Sequence, residues 1–141
     1  MPSAKITKFA LLDTAIYIEN FRSGRFTFRL LQSPYVIRCS SVVLHELLRG
    51  ARTVTERKFV FELSQRCKVL TPTEQQWMKA AEILHQVRRR EHYEAAKLRE
   101  LAFDVLIALS ARSIGASVIT TNHTDFRAIQ RELSFHLLCW E

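Results

Sequence analysis

Short apolar runs alternate along this chain with longer segments of helical periodicity. Ile6–Leu12 reads as a buried strand and about Thr14–Phe21 as a helix, with a turn at Arg22-Ser-Gly-Arg25 where Gly24 supplies backbone freedom. A helix over Phe26–Gln32 ends before Pro34, and Tyr35–Cys39 has strand composition. Ser40 or Ser41 is placed to cap a helix that stops at Gly50. Thr53–Arg66 is a further helix and Lys68–Leu70 a short strand. Thr71-Pro-Thr-Glu74 then has the form of a helix start. The helix it opens carries Trp77, Ala80, Ala81 and Leu84 on one side. A break around Glu91–Lys97 precedes a helix over Leu101–Ile114, terminated by Gly115. Ser117–Thr120 is a strand, Phe126–Glu132 a helix and His136–Cys139 a last strand.

Strands that alternate with helices give an α/β fold: three layers, α/β/α, around a mainly parallel sheet, with ligands bound at the carboxyl ends of the strands. The length of 141 residues fits one domain spanning 1–141, large enough for a core without staples. Three glycines and three prolines leave no room for a flexible linker. The three cysteines, Cys39, Cys67 and Cys139, have no metal-ligand spacing and read as apolar residues of a reducing compartment. No apolar stretch has the length of a membrane span or of a signal region, so the expected location is cytoplasmic, away from membranes.

Charge narrows the partners. With 21 Lys and Arg against 14 Asp and Glu, the net charge is +7, which suits a polyanion and nucleic acid first. The densest basic run, Arg88-Arg-Arg90, is also what a solvated helix face looks like.

The chain has only three aspartates, Asp13, Asp104 and Asp125. Asp13 ends the run Phe9–Leu12, Asp104 interrupts Leu101–Leu109, and Asp125 lies in the connection after Ser117–Thr120. Each sits beside apolar surface, where an ionised carboxylate is costly without a charge partner or metal. Each can also be read as a helix N-cap. Asp104 fits capping worst, because helical periodicity extends on both sides of it and puts it on one face with Leu101, Ile107, Ala108 and Ala111. Glu46, the single carboxylate of the apolar segment Val42–Arg49, is the fourth candidate; its alternative is an i,i+3 pair with Arg49. Four carboxylates brought together require divalent cations, and an all-oxygen donor set favours Mg2+ or Mn2+. On a basic protein that chemistry points to phosphodiesters. His45, beside Glu46, faces another direction on the helix and reads as surface. Phe9, Phe103 and Trp77 have core spacing.

Four segments carry a family resemblance. Leu11-Leu-Asp-Thr14, Ser41–Ala51 around Glu46, Ala102–Ala108 around Asp104 and Gly115–Phe126 resemble, in order and spacing, the motifs of PIN-domain ribonucleases, and most of all the VapC-type toxins of prokaryotic toxin–antitoxin pairs. The resemblance implies a Mg2+- or Mn2+-dependent endoribonuclease acting on RNA, a homodimer, and an antitoxin whose tail occupies the active-site groove. Carried over by position, Asp13, Glu46, Asp104 and Asp125 are the metal-binding and catalytic carboxylates. Thr14, Thr121 and Asn122 match flanking polar positions that orient carboxylates or water; Arg49 and Arg127, by their proximity in sequence to these acids alone, are candidates for the RNA backbone. Ala15 stands where relatives carry Asn or Ser, and His123 where many carry an acid. The Ala15 departure motivates an alternative, a catalytically weak PIN-like module that binds RNA or protein. A phosphatase using Asp13 as nucleophile lacks the second aspartate two residues on, where Ala15 stands.

Overall fold

The computed structural model describes residues 6–141, so the first five residues of the expected domain, and of the segment read as lacking a signal region, lie outside the described part. Five strands form one sheet: β1 (Phe9–Leu12), β2 (Val36–Ser40), β3 (Val69–Leu70), β4 (Ser117–Thr120) and β5 (His136–Cys139). Their order is β3-β2-β1-β4-β5, and every neighbouring pair is parallel. Parallel neighbours demand crossovers, which the helices α1 (Thr14–Ser23), α2 (Thr27–Leu31), α3 (Ser41–Gly50), α4 (Val54–Arg66), α5 (Glu74–Glu91), α6 (Ala95–Ser113) and α7 (His123–Gln130) provide. The result is the three-layer α/β/α arrangement expected from the alternating pattern.

The centre is β1, whose Ala10, Leu11 and Leu12 are buried and whose register aligns Ala10 with Ile37 on one side and with Ser117 on the other. A strand buried on both faces reads as a continuous apolar run rather than an alternating one. From β1 the chain winds outward through β2 and β3, then returns to β4 and β5 on the opposite side. The winding direction reverses beside β1, and the crevice at the carboxyl end of such a reversal is where side chains from several elements converge.

Helix ends follow the sequence signals closely. The Ser40 side chain accepts a hydrogen bond from the Val42 amide at the start of α3, and Thr73 and Gln76 form a reciprocal capping box at the start of α5. Gly24 ends α1 at φ 70° and Gly115 follows α6 at φ 67°, a conformation that costs residues with a Cβ.

Four expectations need correction. The first strand starts at Phe9, not Ile6. The break before α6 is confined to residues 92–94, so that helix starts at Ala95 rather than Leu101. Helix α7 starts at His123, capped by Asn122, so Asp125 lies inside its first turn instead of in a connection. On α5 the buried stripe is Ala80, Ile83 and Val87, while Trp77 is half exposed and Ala81 is exposed. Trp77 is therefore not a core residue.

Candidate active site

Asp13 follows β1 directly and caps α1. Its Oδ1 accepts from the Thr14 amide at 2.8 Å, and its Oδ2 accepts from the Thr120 hydroxyl at 2.8 Å, reaching from the end of β4. The same Thr120 oxygen accepts from the Asn122 amide at 2.9 Å, which fixes the turn into α7. The capping reading and the site reading of Asp13 are thus compatible: one oxygen caps the helix while the other is oriented from the neighbouring strand. Only 5% of Asp13 is exposed. Burial pushes its carboxyl up to about 6 despite both hydrogen bonds, with Glu46 and Asp125 adding repulsion.

Glu46 sits in α3, which follows β2, and its Oε1 accepts from the Thr14 hydroxyl at 3.0 Å. Thr14 therefore links the first two carboxylates, through its amide to Asp13 and through its hydroxyl to Glu46. Burial also raises the Glu46 carboxyl, against the lowering effect of the Thr14 bond, Arg49 and His45. No ion pair between Glu46 and Arg49 closes among the described residues; the Arg49 guanidinium lies over the Phe103 ring instead, 5.6 Å from its centroid. His45 is exposed, its ring edge-on to Phe103 at 5.7 Å.

Asp104 is in the middle of α6, so it caps nothing. Its neighbours Leu101, Ile107, Ala108 and Ala111 are fully buried, as the helical face required. Burial first, then Asp13, Glu46 and Asp125, push its carboxyl up to about 8, and only Lys97 acts in the other direction. Asp125 lies in the first turn of α7. Its two oxygens accept from Lys97 Nζ at 2.8 and 3.0 Å, and Oδ2 also accepts from Asn122 Nδ2 at 2.9 Å. The bond to Asp125 in turn raises the Lys97 amine above its usual range.

The four carboxylates thus share one electrostatic neighbourhood, as the mutual effects on Asp13 and Asp104 require. Among the described residues no three of them stand in a finished coordination arrangement. Thr14, Thr120, Lys97 and Asn122 engage three of the four through hydrogen bonds. The chemistry of the set nevertheless fits a hard divalent cation. All donors are carboxylate oxygens, and Asp104 is held among acids with no hydrogen bond to offset its burial.

Of the flanking residues named from sequence, Thr14 and Asn122 touch carboxylates. The hydroxyl that orients Asp13 belongs to Thr120 rather than Thr121. Arg127 is exposed on α7, with no carboxylate partner among the described residues. Arg88 and Arg89 are exposed at the end of α5, and Arg90 pairs with Glu132, as expected of a solvated helix face. Lys97 and Thr120 are the two residues missed. Thr120 carried a signal, since it is the last residue of a strand that parallels the one ending at Asp13.

A cavity of about 610 Å3 adjoins this site without being centred on it. It runs between α1, α3 and α4 over Tyr17, Ile18, Phe21, Leu47, Phe59 and Val60, with Arg22 and Arg52 among its polar residues, and shares only Glu46 with the carboxylate group.

The architecture is an all-parallel α/β sheet with acidic side chains from four elements near its reversal point. The sequence pattern of the PIN domain matches residues 10–132, and the chain belongs to the PIN domain family. Solved structures share the fold. VapBC-1 from nontypeable Haemophilus influenzae superposes with a TM-score of 0.70 at 22% identity, covering 94% of this chain and 98% of that one. VapBC2 from Rickettsia felis, bound to a DNA fragment from its promoter, gives 0.69 at 19% identity, covering 94% and 99%. DNA-bound VapBC from Salmonella typhimurium gives 0.68 at 22% identity, covering 96% and 100%. No curated protein matches the chain in sequence.

Proposed function

We propose that this protein is a metal-dependent endoribonuclease and the toxin of a toxin–antitoxin pair. The observation that carries the reading is Asp104, a carboxylate in the middle of a buried helix, pushed up to about 8 by burial and by three other acids. Such an arrangement is destabilising for the empty protein and is relieved by a cation. PIN domains are generally nucleases that use divalent metal ions, and the net charge of +7 favours a polyanionic substrate.

Asp13, Glu46 and Asp104 would hold the ion, Mg2+ or Mn2+, with Asp125 at the margin of the site. When bound, it supplies activation of water for in-line attack and neutralises charge on the phosphodiester. Thr120 and Thr14 fix the Asp13 carboxylate from two sides, so that its orientation survives the loss of a proton. Thr14 ties Glu46 to the same frame. Arg49, braced on Phe103 beside Glu46, is placed to meet the RNA backbone, and Arg127 extends the basic surface on α7.

The apolar cavity beside Glu46 is the proposed seat of the antitoxin, whose tail would pack on Phe21 and Phe59 and reach the acidic site. The fold neighbours are VapBC structures, which supports a partner of this kind. A homodimer would use α2 and α4, where Phe28, Leu31, Val54 and Phe61 are exposed apolar residues. Among the described residues no helix is long and apolar enough to cross a membrane.

The test is Mn2+ titration by calorimetry together with cleavage of total RNA, on the wild type and Asp104→Asn. The wild type binds Mn2+ and cleaves, and the variant does neither. A wild type that does neither would leave a PIN-fold module that binds RNA or protein, the reading Ala15 favours.

A further inference from the structure

Asp125 differs from the other acids in having a cation of its own. Both its oxygens contact the Lys97 ammonium, at 2.8 and 3.0 Å, and Asn122 Nδ2 contacts one of them at 2.9 Å. Lys97 lies on α6 seven residues before Asp104, two helical turns away on the same face, with Asp104 tilted back toward it. One side chain thus joins Asp125 on α7 to the helix that carries Asp104, and among the described residues it is the one positive group acting on Asp104.

We propose that Lys97 is the second positive charge of this site: it holds Asp125 away from the metal, so that the chain binds a single divalent ion through Asp13, Glu46 and Asp104. This rests on the nuclease reading above. An ammonium bonded to both oxygens leaves Asp125 few free lone pairs, and a second cation beside it would meet direct like-charge repulsion. The four acids carry four negative charges when ionised; one divalent ion and one lysine offset three of them, where one ion alone would offset two. Lys97 is thereby a positioning residue. It decides which carboxylates face the ion and supplies a fixed positive charge at the edge where the phosphate would lie. Its side chain is about one-third exposed, and methionine keeps most of its apolar stem, so Lys97→Met removes the charge with little loss of packing.

The experiment is Mn2+ binding to the full chain, measured by calorimetry and by electron paramagnetic resonance, for the wild type, Lys97→Met, Lys97→Arg and Asp125→Asn, with thermal melts as a check on folding. The wild type should take up one Mn2+ per protomer. Asp125→Asn should change its affinity by less than about tenfold, the lower end of what losing an outer partner of a metal site costs. Lys97→Met should free Asp125 and admit a second ion, seen as an exchange-coupled dimanganese spectrum, while Lys97→Arg keeps one. Two ions in the wild type, loss of all binding in Asp125→Asn, or an unchanged Lys97→Met would each overturn the proposal and leave the nuclease reading standing. A wild type that binds no Mn2+ removes both. Should Lys97→Met not fold, the wild-type stoichiometry and Asp125→Asn decide the matter.

Discussion

Asp13 and Asp125 follow neighbouring parallel strands, yet the chain treats them oppositely. Asp13 is sealed at the centre of the sheet and held by a hydroxyl and an amide, which orient a carboxylate without cancelling its charge. Asp125, one strand over, is held by an amide nitrogen, which orients it, and by an ammonium, which also cancels its charge. The difference follows from position. The end of β1 is flanked by strands on both sides and can offer only short side chains such as Thr14 and Thr120. The first turn of α7 lies within reach of a long side chain from α6. On the proposed reading the acids of one site would then have unequal work: the centrally held one would be left for a cation, while the peripheral one already has Lys97 as its partner.

The sharpest way to break that contrast is to neutralise each acid in turn. Asp13→Asn should lower RNA cleavage on the order of 10^3-fold, as loss of a group that acts directly on the reacting centre does. Asp125→Asn should lose about tenfold or less. Equal losses in a single-turnover cleavage assay would erase the distinction.

Next comes the dependence of stability on pH without metal. The carboxyls of Asp13 and Asp104 are raised to about 6 and about 8 from 3.8, so between pH 4 and 8 the folded chain keeps protons that the unfolded chain has released. Stability from these groups is then fully present at the acid end and is lost as pH rises through that window. The melting temperature of the metal-free chain should fall by roughly 5 °C or more between pH 5 and 8.5. Asp104→Asn should flatten the fall, and Asp125→Asn should reduce it only slightly, since Asp125 is the smallest of the acidic contributions to both groups. A melting temperature that does not move with pH would count against the shared acidic neighbourhood.

A smaller effect concerns the hydroxyls. Thr120→Val should weaken Mn2+ binding by about 10- to 100-fold, because it removes a partner of Asp13, and should cost about 1–3 kcal/mol of stability by leaving that buried oxygen unsatisfied. Thr121→Val should do neither. Calorimetry and denaturant titration of the two valine variants give the comparison.

Much of this architecture was legible in the sequence, for physical reasons. The run Phe9–Leu12 is apolar throughout, and Val118 and Ile119 form the apolar centre of the run ending at Thr120, because these strands are covered on both faces. Asp104 stood out because helical periodicity continued past it. What escaped notice depended on tertiary placement or on competing local patterns. Helix α5 carries two overlapping apolar stripes, and only packing against α6 selects Ala80, Ile83 and Val87 over the one containing Trp77. The start of α7 was readable in principle, since an Asn with an acid three residues later, Asn122 and Asp125, is a helix-start pattern; its polar His-Thr interior hid it. Nothing near Lys97 in sequence marks it, because its partner is 28 residues further along. Its importance comes from α6 and α7 lying side by side.

The hydrogen bond between Thr120 and Asp13 spans 107 positions of the chain. Closing so long a loop costs entropy before any contact offsets it, more than the shorter closure that pairs β2 with β1. During synthesis the amino-terminal half can assemble β1, β2 and α3, and with them two of the acids, while the other two are still unmade or unplaced. A ribosome-bound or prematurely terminated chain that stops before Ser117 therefore has no complete acidic centre. The acidic centre is thus completed only when the carboxyl-terminal strands have folded back onto β1.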